Sequence, residues 1–205
     1  MRLILVLATL ISIFLGFDLS AGVMELGGSF SYDKQVFGSN RDNKVTSRTY
    51  GGSFAWYMFP VTGLELNYAH RTDIVLENDD ELIPDTTATI TQVRSEAITQ
   101  VYGVGIRQAF ASVRSLLVPT LSIGYAKEFK EQATVYIIDN AGTLYTVGSN
   151  VSKSRSDSVF GTFALKINFT RLFSMNGSVG TVFKAFEWNE AKYNVKYKAG
   201  FSWYF

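Results

Sequence analysis

The last thirteen residues, Tyr193 to Phe205, alternate between two chemistries without interruption. Tyr193, Val195, Tyr197, Ala199, Phe201, Trp203 and Phe205 occupy one set of alternate positions, and Asn194, Lys196, Lys198, Gly200, Ser202 and Tyr204 the other. Side chains of a β-strand point to opposite faces with period two, so this strand has one apolar, aromatic face and one polar or small face. It therefore separates two unlike environments. Periodicity alone does not say whether the apolar side is the inside of a soluble barrel or the outside of a membrane barrel.

The same design recurs along the chain. Met24, Leu26, Gly28, Phe30 and Tyr32 alternate with Glu25, Gly27, Ser29, Ser31 and Asp33, and Leu64, Leu66, Tyr68, His70 and Thr72 with Glu65, Asn67, Ala69, Arg71 and Asp73. Similar alternation over 50–58, 98–107, 117–126, 158–170 and 178–185 predicts about eight strands, each near the ~9–11 residues of a tilted membrane crossing. Pro119 removes a ladder donor, which predicts a bulge or a strand end beside it. The polar stretch 34–47 and the acid- and Thr-rich stretch 77–95 read as loops. Asp139-Asn140-Ala141-Gly142, between β-forming flanks, reads as the turn of a hairpin that extends the wall. Connections near Pro60, Ser112 and Asn176 are short, whereas those near Asn40, Asp80 and Asn140 are long.

The strand closed by Phe201, Trp203 and Phe205 resembles the last strand of bacterial outer-membrane β-barrel proteins, in which such an ending is the recognition signal for the barrel-assembly machinery. The alternation of short and long connections matches their short periplasmic turns and long extracellular loops. The small polar face, with Gly27, Gly51, Gly103, Gly105, Gly124, Gly180 and Gly200, suits the narrow inside of an eight-stranded barrel better than a solvated outer surface. The expectation is an all-β, eight-stranded antiparallel up-and-down transmembrane barrel, similar to the barrel part of the OmpA class and to the OmpX and OmpW types. That resemblance implies bacterial outer-membrane localisation, with outer-membrane lipid and lipopolysaccharide as surroundings. Unlike full-length members of the OmpA class, the chain shows no peptidoglycan-binding domain after Phe205, so wall tethering is not expected.

Met1-Arg2 precedes an apolar run from Leu3 to Phe17, followed by Asp18 and the small residues Ser20, Ala21 and Gly22. This reads as a secretory signal peptide over 1–21, removed on export through the periplasm to leave a barrel domain over 22–205. Charge is balanced, with 19 Lys plus Arg against 18 Asp plus Glu, which argues against a nucleic-acid partner. Cysteine is absent, which excludes disulfides and thiolate chemistry.

With all polar faces inward, Glu25, Glu65, Arg107, Lys166, Lys184, Lys196 and Lys198 share one narrow tube. Buried charges are costly unless paired, so carboxylate–cation contacts that fill the lumen are expected. A catalytic role has few candidates. His70, the sole histidine, falls on the apolar face with Thr72. The spacing looks superficially like the outward His and hydroxyl of lipid A deacylases, but no supporting acid accompanies it. The acidic run around Glu77, Asp79, Asp80, Glu81 and Asp85 lacks the spacing of a calcium loop, and Gly103-Val104-Gly105 lacks the rest of a dinucleotide fingerprint. No cofactor, metal site or catalytic residue is therefore expected. The sequence points to a non-enzymatic surface protein that presents long extracellular loops to an unknown ligand. A narrow porin-like channel or conduit for small, even hydrophobic, molecules is the alternative, and a lipid-modifying enzyme the weaker one.

Overall fold

The computed structural model describes residues 22–38, 41–78, 80–84, 86–184 and 195–205. The segment 1–21, expected to be a signal peptide, and the connection around 187–192 lie outside these residues.

Ten strands follow in chain order: β1 (Val23–Phe37), β2 (Asn43–Tyr57), β3 (Thr62–Glu77), β4 (Glu81–Leu82), β5 (Ala88–Ala109), β6 (Leu117–Asn140), β7 (Thr143–Gly148), β8 (Ser152–Asn168), β9 (Phe173–Lys184) and β10 (Lys196–Tyr204). Eight of them close into a ring, β1-β2-β3-β5-β6-β8-β9-β10, each antiparallel to its neighbours in sequence. The first and last strands form the closing seam, where the Met24 and Phe205 backbones exchange hydrogen bonds of 2.9 and 3.0 Å. Following the ladder once around from Leu117 returns to β6 at Lys127, a stagger of ten residues. With strands roughly 4.8 Å apart and about 3.3 Å per residue, that stagger tilts the strands by about 40°.

The tilt converts register into height, at about 2.5 Å per residue. On that scale the outward tyrosines Tyr32, Tyr50, Tyr68, Tyr102, Tyr125 and Tyr197, all exposed, fall within about 4 Å of one level. Trp56, Phe59, Phe173, Trp203 and Phe205 ring the opposite end. Between the two belts the outer face is aliphatic, with Leu26 54 % exposed, Leu66 56 % and Ile123 56 %. An outward apolar band between aromatic girdles about 15–20 Å apart on that scale is the kind of surface that a bilayer requires of a barrel.

Three sequence expectations are corrected, and a fourth, at Pro119, is met in one of its two forms. The stretches 34–47 and 77–95 are strand for most of their described length, since β1 and β2 run on to Phe37 and from Asn43, and β5 begins at Ala88. Beyond the bilayer both faces of a strand are wet, so the alternation that identifies strands disappears there. The barrel strands are accordingly up to 24 residues long rather than 9–11. The short connection expected near Asn176 lies earlier, after Phe169, where the Thr170 hydroxyl oxygen accepts from the Leu172 and Phe173 amides at 3.2 and 3.0 Å; Asn176 and Gly177 sit inside β9. At Pro119 no bulge forms, and the strand-end alternative holds, since β6 begins two residues earlier and β5 ends at Ala109 beside it. A strand residue's N and O point to the same side, and the Pro119 oxygen accepts from Phe110, so the missing donor faces the end of β5 and the β8 ladder keeps its register.

The hairpin expected at 139–142 is present: Asn140 pairs with Thr143, and Ala141 and Gly142 take φ of 53° and 84°, the left-handed pair that a two-residue turn between twisted strands needs. With β4 and β7 flanking them, β5 and β6 stand well beyond the tyrosine belt.

Candidate functional site: the lumen

The inward face is built in layers from the short-turn end upward. At the bottom, the connection after β5 folds beneath the barrel. Val113, 5 % exposed, joins Val118, Ala109, Ala55 and Tyr57 in a small apolar cluster. The Asn168 amide fixes that connection by donating to the Val113 and Ser115 carbonyls at 2.9 and 2.5 Å.

Directly above lies a layer of charge. Arg107 on β5 donates Nε to Glu65 Oε2 at 2.9 Å and Nη2 to Glu65 Oε1 at 2.6 Å, while its Nη1 reaches Glu25 Oε1 at 2.9 Å. Lys166 Nζ on β8 donates to both oxygens of Glu25, at 2.5 and 2.6 Å, and Tyr57 donates its hydroxyl to Glu25 Oε2 at 3.0 Å. All four charged residues are buried, Glu25 being 1 % exposed and Lys166 2 %. Two carboxylates face two cations, so the layer is neutral. It spans the lumen, because β5 and β8 each lie three strands from β1 around the ring in opposite directions. Taking charges out of water is tolerable only where geometry and hydrogen bonding are this complete. Such a layer is a plug.

The next layer is apolar. Phe160, 5 % exposed, lies over Gly103, Gly105 and Gly124, and a methyl group built on any of the three would run into its ring. Those glycines are the seat of one aromatic side chain. Beside Phe160 runs a cavity of about 680 Å³, lined at its lower end by Glu25, Glu65, Arg107 and Lys166 and continuing to the long-loop end.

Of the seven charged residues expected in the lumen, the structure joins Glu25, Glu65, Arg107 and Lys166 in the plug. Lys184, Lys196 and Lys198 line the cavity, the first near its rim. Filling by side chains is thus confined to the lower part of the barrel. Tyr57 and Phe160 were not singled out from sequence. Parity places Tyr57 inward. Phe160 breaks the small-residue rule of its face, and that exception was the available signal.

Outside the lumen, Phe201 and Trp203 lie exposed on the outer face of β10 and Phe205 is exposed just past its end, with Phe173 stacked 6.4 Å from Phe201. His70 faces outward between Tyr50 and Gln100, at the level of the tyrosine belt where amphipathic rings concentrate. Thr72 pairs with Arg48 and Ile98, so neither ladder neighbour of the His–Thr pair brings a carboxylate. Among the described residues no group of three or more His, Cys, Asp or Glu is placed to hold a metal ion; Asp79 and Asp85 of the acidic run lie outside them.

No protein-family profile and no curated protein matches the sequence. Solved structures do share the fold. The N-terminal β-barrel domain of Pseudomonas aeruginosa OprF superposes with a TM-score of 0.52 at 14 % identity, covering 89 % of this chain and 97 % of that one. The outer membrane protein OprG from the same organism gives 0.52 at 13 % identity, covering 90 % and 96 %.

Proposed function

We propose that this outer-membrane β-barrel is a non-enzymatic surface protein, a closed anchor whose business end is the strand extension on the long-loop side. The single observation that carries the reading is the buried plug of Glu25, Arg107, Glu65 and Lys166 over the Val113 cluster. A lumen sealed by a neutral, fully hydrogen-bonded layer and an apolar floor offers no path to water or ions. The wall nevertheless continues far beyond the tyrosine belt in β5, β6 and β7, whose tip exposes Leu144, Tyr145 and Val147. Lipid and lipopolysaccharide would surround the apolar band, and the assembly machinery would read Phe201, Trp203 and Phe205 at the seam.

Proteoliposome swelling tests the reading. Vesicles holding the folded protein should swell in isosmotic small sugars no faster than empty ones; swelling that scales with protein content would overturn it. A narrow channel is the second reading, and the open cavity above the plug favours it, since one layer with its floor would be all that has to move. A lipid-modifying enzyme would require His70, and unchanged lipid A in a gene deletion would dispose of it.

A further inference from the structure

The cavity above the plug has a charge character of its own. Over the whole chain, cations outnumber acids 19 to 18. Among the described residues lining this cavity, eight are Lys or Arg and four are Asp or Glu. The plug accounts for two of each, so the excess belongs to the open part.

Two lysines make that excess unusual. Lys196 and Lys198 are alternate residues of β10 on one inward face, their Cα atoms roughly 6–7 Å apart. Lys196 Nζ is buried and has no hydrogen-bond partner among the described residues. The charges that act on it are the cations Arg71 and Lys198 and the carboxylates Asp73 and Asp33. Of those carboxylates, Asp73 meets Arg71 Nε through Oδ2 at 2.5 Å and leaves only Oδ1 over, and Asp33 accepts from Gln35 at 3.1 Å. Among the described residues the one carboxylate acting on Lys198 is that of Glu65, both of whose oxygens already accept from Arg107. A buried ammonium without an acceptor is expensive. Water could satisfy its hydrogen bonds but could not offset a local surplus of positive charge. A small anion does both.

We propose that the cavity is a binding site for a small soluble oxyanion carrying phosphate or carboxylate groups, seated between Lys196, Lys198 and Arg71 and entering from the long-loop end. At about 680 Å³ the chamber falls within the roughly 300–1,000 Å³ typical of small-molecule sites. The plug would serve as its floor.

Calorimetric titration with inorganic pyrophosphate, at low salt, of the full protein purified folded from membranes in a zwitterionic detergent tests this. Saturable one-to-one binding is expected, weakened at least tenfold in the K196Q/K198Q double variant and unchanged in K153Q, whose ammonium lies outside the lumen against Glu131. Absence of saturable binding, or equal affinity in the double variant, would overturn the proposal. Should the double variant fail to fold, amide shifts in the wild-type protein decide. Pyrophosphate must move the signals of Lys196, Lys198 and Gly200; perturbation confined to β7 or the loops would refute a lumen site.

Discussion

Arg107 and Glu65 meet through two parallel hydrogen bonds, Nε to Oε2 at 2.9 Å and Nη2 to Oε1 at 2.6 Å, across a neighbouring strand pair deep inside the barrel. The fork geometry of the guanidinium matches the carboxylate, and the remaining Nη1 is free to reach Glu25. One arginine thereby neutralises part of two acids.

Arg107 is consequently the most expensive member of the plug to remove. Arg107→Ala leaves Glu25 and Glu65 buried with half their compensation, and losing one partner of a buried ion pair costs about 3–5 kcal/mol. Guanidinium unfolding of the protein in liposomes should show a loss of that size. Arg107→Lys should recover only part of it, because an ammonium cannot make the paired contact.

Membrane placement separates two exposed leucines. Leu66 and Leu144 are 56 % and 67 % exposed, but Leu66 lies mid-band and Leu144 on the hairpin beyond the tyrosine belt. Leu66→Arg should destabilise the inserted barrel by about 2–4 kcal/mol, while Leu144→Arg stays within about 0.5 kcal/mol. Similar losses at both positions in the same liposome unfolding assay would argue against the placement of the band.

Gly124 is confined from two sides, by the Phe160 ring and by the backbone of Val104 and Gly105. A backbone cannot retreat as a side chain can. Gly124→Val should therefore slow folding into detergent or fail to yield the compact form of faster mobility in unboiled gels. Adding Phe160→Ala should rescue it in part only, because the backbone contact remains.

Much of this arrangement is legible in the sequence. Parity alone assigns Glu25, Glu65, Arg107 and Lys166 to the same interior, because a bilayer enforces alternation wherever the strand faces lipid. Parity carries no height, however. Lys166 and Lys198 look equivalent on paper, and only the ten-residue stagger puts one in the plug and the other in the cavity above. The long ends of β1, β2 and β5 were illegible for the complementary reason: with water on both faces, nothing selects apolar residues at alternate positions. Val113 was unreadable because a connection folding back beneath a barrel leaves no periodic trace.

Asp73 lies five residues beyond Tyr68 along β3, about 12 Å above the tyrosine belt. Burial alone would raise its pKa, but the hydrogen bond and charge of Arg71 outweigh that and hold it below the ordinary carboxylate value. A lowered folded pKa means that the pair's contribution is present above the unfolded value of about 3.9 and is lost as pH falls through the lower folded one. Carboxyl NMR titration should find Asp73 ionised at pH 4, and Asp73→Asn should blunt the loss of stability at still lower pH.

The most direct test of a closed barrel is single-channel recording in planar bilayers, with insertion verified independently, on the wild type and on Glu65→Gln. A silent wild-type barrel, with brief openings appearing only when the Arg107 fork loses its ionised partner, is the predicted result. Stable wild-type conductance would contradict the plug and make the protein a pore.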